Sequence, residues 1–272
     1  MTEHFFEYPQ IKLHYYVFGS GPQVMLCFHG YGMHGRQFSQ LEAHFGGEYT
    51  FYGFDLLFHK QTVLTDDSLE EIKRGISKDE LNRLFTSFCV ALGIDRFSII
   101  AYSMGTHYGS TLVELSAGRI DRYIAIAPSS IRPVPFLRLL STNRFANKLL
   151  EKLTLSPHGM HNLLLWSHKL RIIDAKGVEI LSREIETPRL RLSFYACITY
   201  LRFLELDEEA FIASINNQHI SVCFIFGRKD KNYPPEMNDR LLARLPDSRT
   251  EVLEGGHELV NSGLPQILIP YL

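Results

Sequence analysis

The segment Phe97-Ser-Ile-Ile-Ala-Tyr-Ser-Met-Gly-Thr-His107 decides the fold of this chain. Its first half is a run of apolar and β-branched residues, which predicts a short buried strand. The residues from Met104 to Ala117 have the apolar spacing and small side chains of a helix packed on a sheet. Ser103 therefore lies at a sharp strand-to-helix turn. Ala101 and Gly105, two positions before and after it, are small enough to let its backbone take a strained conformation that points the hydroxyl outwards.

The pentapeptide from Ala101 to Gly105 resembles the nucleophile elbow of the α/β-hydrolase superfamily, usually Gly-x-Ser-x-Gly, with an alanine in place of the first glycine. Three further segments carry the same resemblance. His29-Gly30 ends the apolar run Val24–Phe28, as the His-Gly loop does in this superfamily. Gly227-Arg-Lys-Asp230 is similar to the Gly-x-x-Asp loop of the triad acid, and Gly255-Gly256-His257 is similar to the loop of the triad base. The chain order Ser, Asp, His is also that of the superfamily.

The resemblance implies a catalytic site. Ser103 would be the nucleophile, His257 its general base, and Asp230 the carboxylate that orients the base. The oxyanion hole would be formed by the backbone N–H groups of Tyr31 and Met104. The three triad candidates each follow the end of a predicted parallel strand, which is where such sheets place their sites.

The resemblance also implies the fold class, an α/β-hydrolase fold with a mostly parallel central sheet flanked by helices and an inserted helical cap. Residues 1–128 and 217–272 are predicted to form the core, and residues 129–216, whose apolar period is helical, the cap (lid) insertion. Tyr102, Trp166 and Tyr195 are predicted to line the substrate pocket. The helices predicted between the two parts of the core are Phe136–Leu153, His161–Ile173, Val178–Glu186, Arg189–Glu205 and Glu208–Ile215.

One loop departs from the superfamily. Many members carry Asp-x-Pro-Gly-x-Gly after the strand predicted at Tyr49–Asp55, whereas this chain has Asp-Leu-Leu-Phe-His-Lys-Gln at positions 55–61. The aspartate stays and the proline and glycines are absent, so the loop is bulkier.

The acidic stretch 65–71 is predicted to be a solvated surface loop. His29 is expected to brace the His-Gly loop, and His107 to pack behind the elbow.

Composition excludes several classes of protein. The 28 basic and 30 acidic residues give a net charge of −2, so charge gives no indication of nucleic-acid binding. No apolar run approaches the roughly 18 residues that span a bilayer, and the N-terminus is unlike a signal peptide. The four scattered cysteines are expected to be buried free thiols in a reducing cytoplasm, with no metal site and no cofactor. The sequence leaves the oligomeric state open.

The function predicted from these features is a cytoplasmic serine hydrolase that cleaves a small or medium carboxylic ester through an acyl-enzyme. Its partner would be a small-molecule substrate, an apolar acyl ester. Serine at the elbow argues against epoxide hydrolases and haloalkane dehalogenases, whose elbow nucleophile is aspartate. A thioesterase, an acyltransferase, or a C–C hydrolase or lyase on the same triad stays open, and so does a non-catalytic ligand-binding member of the fold. Residues 129–204 hold twelve basic and five acidic side chains, which fits a solvated face or a lid that favours anions.

Overall fold

The computed structural model describes residues 1–156, 158–173 and 175–272. Its strands are β1 Thr2–Tyr8, β2 Ile11–Gly19, β3 Gln23–Phe28, β4 Tyr49–Phe54, β5 Val63–Leu64, β6 Phe97–Tyr102, β7 Ile120–Ile126, β8 Ser221–Gly227 and β9 Arg249–Leu253. Its α-helices are α1 Glu42–Phe45, α2 Leu69–Arg74, α3 Lys78–Ala91, α4 Gly105–Ser116, α5 Pro135–Thr142, α6 Arg144–Leu155, α7 Gly159–Lys169, α8 Ala175–Glu184, α9 Pro188–Tyr200, α10 Glu208–Gln218, α11 Asp239–Leu242 and α12 Leu264–Leu268. Short 3₁₀ helices cover Gly35–Leu41, Ala117–Arg119, Leu201–Phe203 and Pro235–Asn238.

The strands form one mostly parallel sheet in the order β1-β2-β4-β3-β6-β7-β8-β9, with β5 paired to β2. The hairpin β1-β2 and the β2-β4 pair are antiparallel. In the part of the sheet with the order β4-β3-β6-β7-β8-β9, every neighbouring pair is parallel. All six residues of β6 are buried, as expected of a strand covered on both faces. Because the parallel strands point the same way, the loops that follow them meet at one edge of the sheet.

The chain divides into two compact units. The first comprises residues 1–66, 77–133 and 204–272 and holds the sheet with α1, α3, α4 and α10–α12. The second comprises residues 67–76 and 134–203, and its regular structure consists of α2, α5–α9 and the turn Leu201–Phe203. The assignment of residues 129–216 as a cap stays a prediction.

Two predictions of local structure were wrong, one for a helix and one for a loop. Residues 136–153 form two helices instead of one, because the extended backbone of Asn143 separates α5 from α6 and its side chain accepts the N–H groups of Phe145 and Ala146. The predicted surface loop at 65–71 contains the start of α2. That helix is capped by the Ser68 hydroxyl and buries Ile72.

Helix α3 begins with a capping box, in which Ser77 and Glu80 each bind the other's backbone N–H. The prediction made for the cysteines is confirmed. All four cysteines are buried free thiols, and burial raises the pKa of Cys89 to about 11. Within the described part of the chain, no helix has the length and hydrophobicity that crossing a membrane requires.

Candidate active site

The turn after β6 holds Ser103 in a strained conformation. Its φ angle is +48°, in the left-handed region that residues other than glycine seldom occupy. The strain is offset by local hydrogen bonds: the Ser103 N–H donates to the Ile126 carbonyl at 2.9 Å, and the Ser103 carbonyl accepts from the N–H and hydroxyl of Thr106 at 2.9 and 2.6 Å. Thr106 also accepts the Ser130 N–H at 3.1 Å. The serine is therefore fixed at the carboxyl end of the central strand, as predicted from the sequence.

Glycines explain how the turn fits its surroundings. A Cβ at Gly105 would overlap the carbonyl of Phe28, so α4 can start this close to β3 only with glycine there. The alanine at the first flank is accommodated by Gly109 on α4. A Cβ at Gly109 would lie 3.2 Å from the Ala101 methyl and 2.7 Å from the Tyr123 ring. The Ala101 methyl group therefore fits because Gly109, on the adjacent helix α4, has no side chain in that space.

Ser103, His257 and Asp230 form one hydrogen-bonded chain. Ser103 Oγ lies 2.9 Å from His257 Nε2, and His257 Nδ1 lies 2.7 Å from Asp230 Oδ2. The other oxygen of Asp230 accepts the backbone N–H groups of Asn232 at 2.9 Å and Tyr233 at 3.1 Å. The structure therefore brings together three residues that are 154 and 27 positions apart along the chain.

The electrostatics of Asp230 fix the roles of the two imidazole nitrogens. Burial opposes ionisation of this carboxyl group, but the hydrogen bond and charge of His257 and the two backbone N–H groups outweigh it and lower the pKa. An ionised carboxylate can only accept, so Nδ1 of His257 carries the proton. Nε2 is then the acceptor that faces the Ser103 hydroxyl.

The loop of His257 is held from several sides. A Cβ at Gly227 would overlap the carbonyl of Gly256, and the Lys229 N–H donates to the Gly255 carbonyl at 2.9 Å. The Tyr102 hydroxyl donates to the His257 carbonyl at 2.9 Å, and the rings of Tyr102 and Tyr233 each lie 5.4 Å from the imidazole. Sequence reasoning did not assign a role to Tyr233. Its position three residues after the candidate acid is the signal that could have identified it.

The two candidate oxyanion donors follow neighbouring strands. Phe28 of β3 pairs with Ala101 of β6 in parallel register. Tyr31 lies three residues after Phe28, and Met104 lies three residues after Ala101. A Cβ at Gly30 would lie 2.6 Å from the Tyr102 ring and 3.5 Å from Ser103 Cβ, so the His-Gly loop packs directly against the elbow. This places both segments beside the Ser103 side chain.

Other acidic and histidine side chains serve loop structure. Asp55 is buried and accepts the Gly35 N–H at 2.8 Å, while its second oxygen contacts His14 Nδ1 at 2.8 Å. His29 binds the backbone of both its own loop and the loop after β4, as expected of a bracing residue. His107 Nδ1 lies 3.2 Å from the Leu204 carbonyl. These contacts leave Asp230 as the carboxylate that meets His257.

The remaining two pocket candidates belong to the second unit. Trp166 on α7 is 60% exposed, with the Lys169 ammonium 5.1 Å from its ring centroid. Tyr195 on α9 is fully buried, and its hydroxyl donates to Asn147 Oδ1 at 3.0 Å. Their role as pocket residues stays a prediction.

Comparisons with known proteins agree on the fold. A family model described as alpha/beta hydrolase fold matches residues 23–155. An alpha/beta hydrolase fold protein from Burkholderia ambifaria has a TM-score of 0.69 at 17% identity, over 99% of this chain and 96% of that one. A thermophilic esterase from Thermogutta terrifontis has 0.67 at 15%, over 98% and 95%. A protein described provisionally as an epoxide hydrolase, from Pseudomonas aeruginosa, has 0.64 at 17%, over 100% and 95%. No curated protein matches this chain in sequence.

Proposed function

The chain belongs to the α/β-hydrolase superfamily, and on this premise we propose that it is a serine hydrolase that cleaves small or medium carboxylic esters. One observation carries the proposal. It is the continuous chain of hydrogen bonds from Ser103 Oγ through His257 to Asp230, which starts at a serine held with positive φ after the central strand. A serine hydroxyl is a weak nucleophile by itself, and a base within hydrogen-bond distance is what activates it.

The reaction follows from these positions. Ser103 Oγ attacks the ester carbonyl while His257 Nε2 takes the hydroxyl proton, and the Asp230 carboxylate stabilises the resulting imidazolium. The imidazolium then gives this proton to the leaving alcohol as the C–O bond breaks, which leaves an acyl group on Ser103. Water, deprotonated by the same imidazole, attacks the acyl-enzyme and releases the carboxylic acid. The imidazole returns the proton to Ser103.

The oxyanion of each tetrahedral intermediate would be bound by the backbone N–H groups of Tyr31 and Met104. Both follow the carboxyl ends of adjacent strands, and the His-Gly loop packs against the elbow. Loss of one such donor typically costs about 3 kcal/mol in the activation barrier. The donors are backbone groups, so mutations can test them only through residues that position the loop.

The identity of the nucleophile separates this proposal from epoxide hydrolysis. One similar structure is described provisionally as an epoxide hydrolase, but enzymes of that class use an aspartate at the elbow, and this chain has Ser103 there. An ester or thioester carbonyl is the electrophile that a serine with a neutral histidine base attacks. Ester cleavage is therefore the reaction that the site supports best.

Labelling with a fluorophosphonate probe and turnover of esters with acyl chains of rising length test the proposal. The wild type should react with the probe at Ser103 and hydrolyse the shorter esters, and Ser103→Ala should lose turnover by roughly 10⁴-fold or more. Ser110→Ala changes a buried serine on α4, the helix that follows the elbow; it is the matched control and should keep both activities. A folded wild type that the probe does not label would instead indicate a ligand-binding protein. Acyl thioesters in the same panel distinguish a thioesterase.

A further inference from the structure

Two loops follow adjacent parallel strands on the oxyanion side of the site. The His-Gly loop comprises residues 29–33 after β3, and the aspartate loop comprises residues 55–62 after β4. The two strands end in register, with Phe28 paired to Phe54. Each loop contributes a buried histidine that accepts a backbone N–H from the other: His29 Nε2 accepts from Leu56, and His59 Nε2 accepts from Gly32, both at 3.0 Å.

The hydrogen bonds determine the protonation of both rings. His29 Nδ1 lies 2.6 Å from the Gly30 carbonyl, and His59 Nδ1 lies 3.0 Å from the Leu57 carbonyl. A backbone amide N–H can only donate and a carbonyl can only accept. Both imidazoles must therefore be neutral, with the proton on Nδ1. Their rings meet edge to face at a centroid distance of 5.0 Å.

The surroundings keep the two rings neutral. Burial lowers the pKa of His29 well below its ordinary value, and the neighbouring His59, His34 and Lys60 lower it further. The hydrogen bond to the Gly30 carbonyl raises this pKa but does not offset the other effects. For His59, burial and Lys60 outweigh the Leu57 carbonyl and the Asp55 charge and lower the pKa to about 4. The reciprocal link therefore persists across the pH range in which a serine hydrolase with a neutral base works.

We propose that His59 is a positioning residue that fixes the peptide groups around Tyr31 and so aims its N–H at the oxyanion. Glycines flank Tyr31 on both sides, and each is held by a side chain: Gln37 Oε1 accepts the Gly30 N–H at 3.0 Å, and His59 accepts the Gly32 N–H. The His59 ring also lies 5.4 Å from the Tyr31 ring. The imidazole thus supplies rigidity that two glycines alone would not give the loop.

The catalytic part of this inference rests on the proposed function, and kinetics of two His59 variants test it. His59→Leu removes the acceptor for the Gly32 N–H, and His59→Gln keeps an amide oxygen that can replace it. We expect His59→Leu to lower kcat by roughly 10- to 100-fold with little change in KM. Complete loss of one oxyanion donor typically lowers kcat by roughly 10²- to 10³-fold, and a donor that is only misplaced should lose part of that effect. His59→Gln should recover most of that loss. His107→Gln, a substitution of another largely buried histidine, should leave kcat unchanged.

A second readout does not depend on activity. Nitrogen-15 NMR of the wild type should show His59 as the neutral tautomer protonated on Nδ1 at pH 7, and the Gly32 amide should exchange slowly with solvent. An imidazolium, or a proton on Nε2, would overturn the link even if the leucine variant fails to fold. Exchange at Gly32 that is unchanged in His59→Leu would overturn it too, and equal kcat in that variant and the wild type would overturn the positioning role. Failure of the proposed function would give a different result: the wild-type Gly32 amide would still exchange slowly, but the wild type would not hydrolyse esters.

Discussion

Acidification should weaken the folded state through His59. The pKa of this imidazole is about 4 in the folded protein, whereas in the unfolded chain it has its ordinary value of 6.5. Between these values the unfolded state binds a proton that the folded state does not, so stability rises with pH across the window and is lost as the pH falls from about 6.5 towards 4. One pH unit of such a difference is worth about 1.4 kcal/mol. Going from pH 7 to pH 5 should therefore remove about 2 kcal/mol through His59 alone.

Urea denaturation at pH 7 and pH 5, followed by circular dichroism, measures this loss. The comparison is between the wild type and His59→Gln, which share all other titrating groups, including His29. At a slope of ~3 kcal/mol per molar urea, the wild-type midpoint should fall by roughly 0.7 M more than that of the variant. If the two proteins lose the same stability, within about 0.5 kcal/mol, then His59 is not held neutral by the fold and the reasoning is refuted.

Three further predictions concern the triad, its loop and a helix cap. Asp230→Asn should lower kcat by roughly 10⁴-fold while ester binding survives, because the imidazole loses the partner that sets its tautomer; a harmless Asp230→Asn beside an inactive Asp55→Asn would place the acid elsewhere. Gly227→Ala should destabilise the fold by about 1–3 kcal/mol and lower kcat, because its methyl group would displace the Gly256 carbonyl and with it the His257 loop; wild-type kinetics would show that the loop adapts. Ser77→Ala should cost about 1 kcal/mol in urea denaturation through loss of the α3 cap and leave kcat unchanged.

The sequence was sufficient to predict the positions of Ser103, Asp230 and His257 in the fold, because short motifs coincide there with strand ends. Ser103 comes directly after an apolar strand, Asp230 follows one within three residues, and His257 follows the last strand within four residues. In a parallel sheet such positions converge whatever the rest of the chain does. The parallel sheet agrees with the alternation of apolar strands and helices, and the fold class was predicted from the family resemblance.

Other features depend on tertiary context that one sequence does not reveal. The apolar period runs on through Asn143, so the break between α5 and α6 shows only in the backbone of that residue. Helix α2 has six residues, too few for periodicity to detect, and is held by burial of Ile72. The reciprocal pair of hydrogen bonds, in which His29 and His59 each accept a backbone N–H from the other's loop, requires the two loop backbones to meet. Its one trace in the sequence is a histidine in each of two loops that follow adjacent strands.

The contact between Ala101 and Gly109 has a consequence for how this sequence can change. A methyl group at position 101 leaves a clearance of 3.2 Å to any Cβ at position 109, so the tolerance of each position depends on the residue at the other. A Cβ at position 109 would lie closer still, at 2.7 Å, to the Tyr123 ring, so both neighbours favour glycine there. With glycine at position 101, one of these two close contacts would be absent. The residue beside the nucleophile therefore adds to the cost of any substitution at a helix position eight residues away.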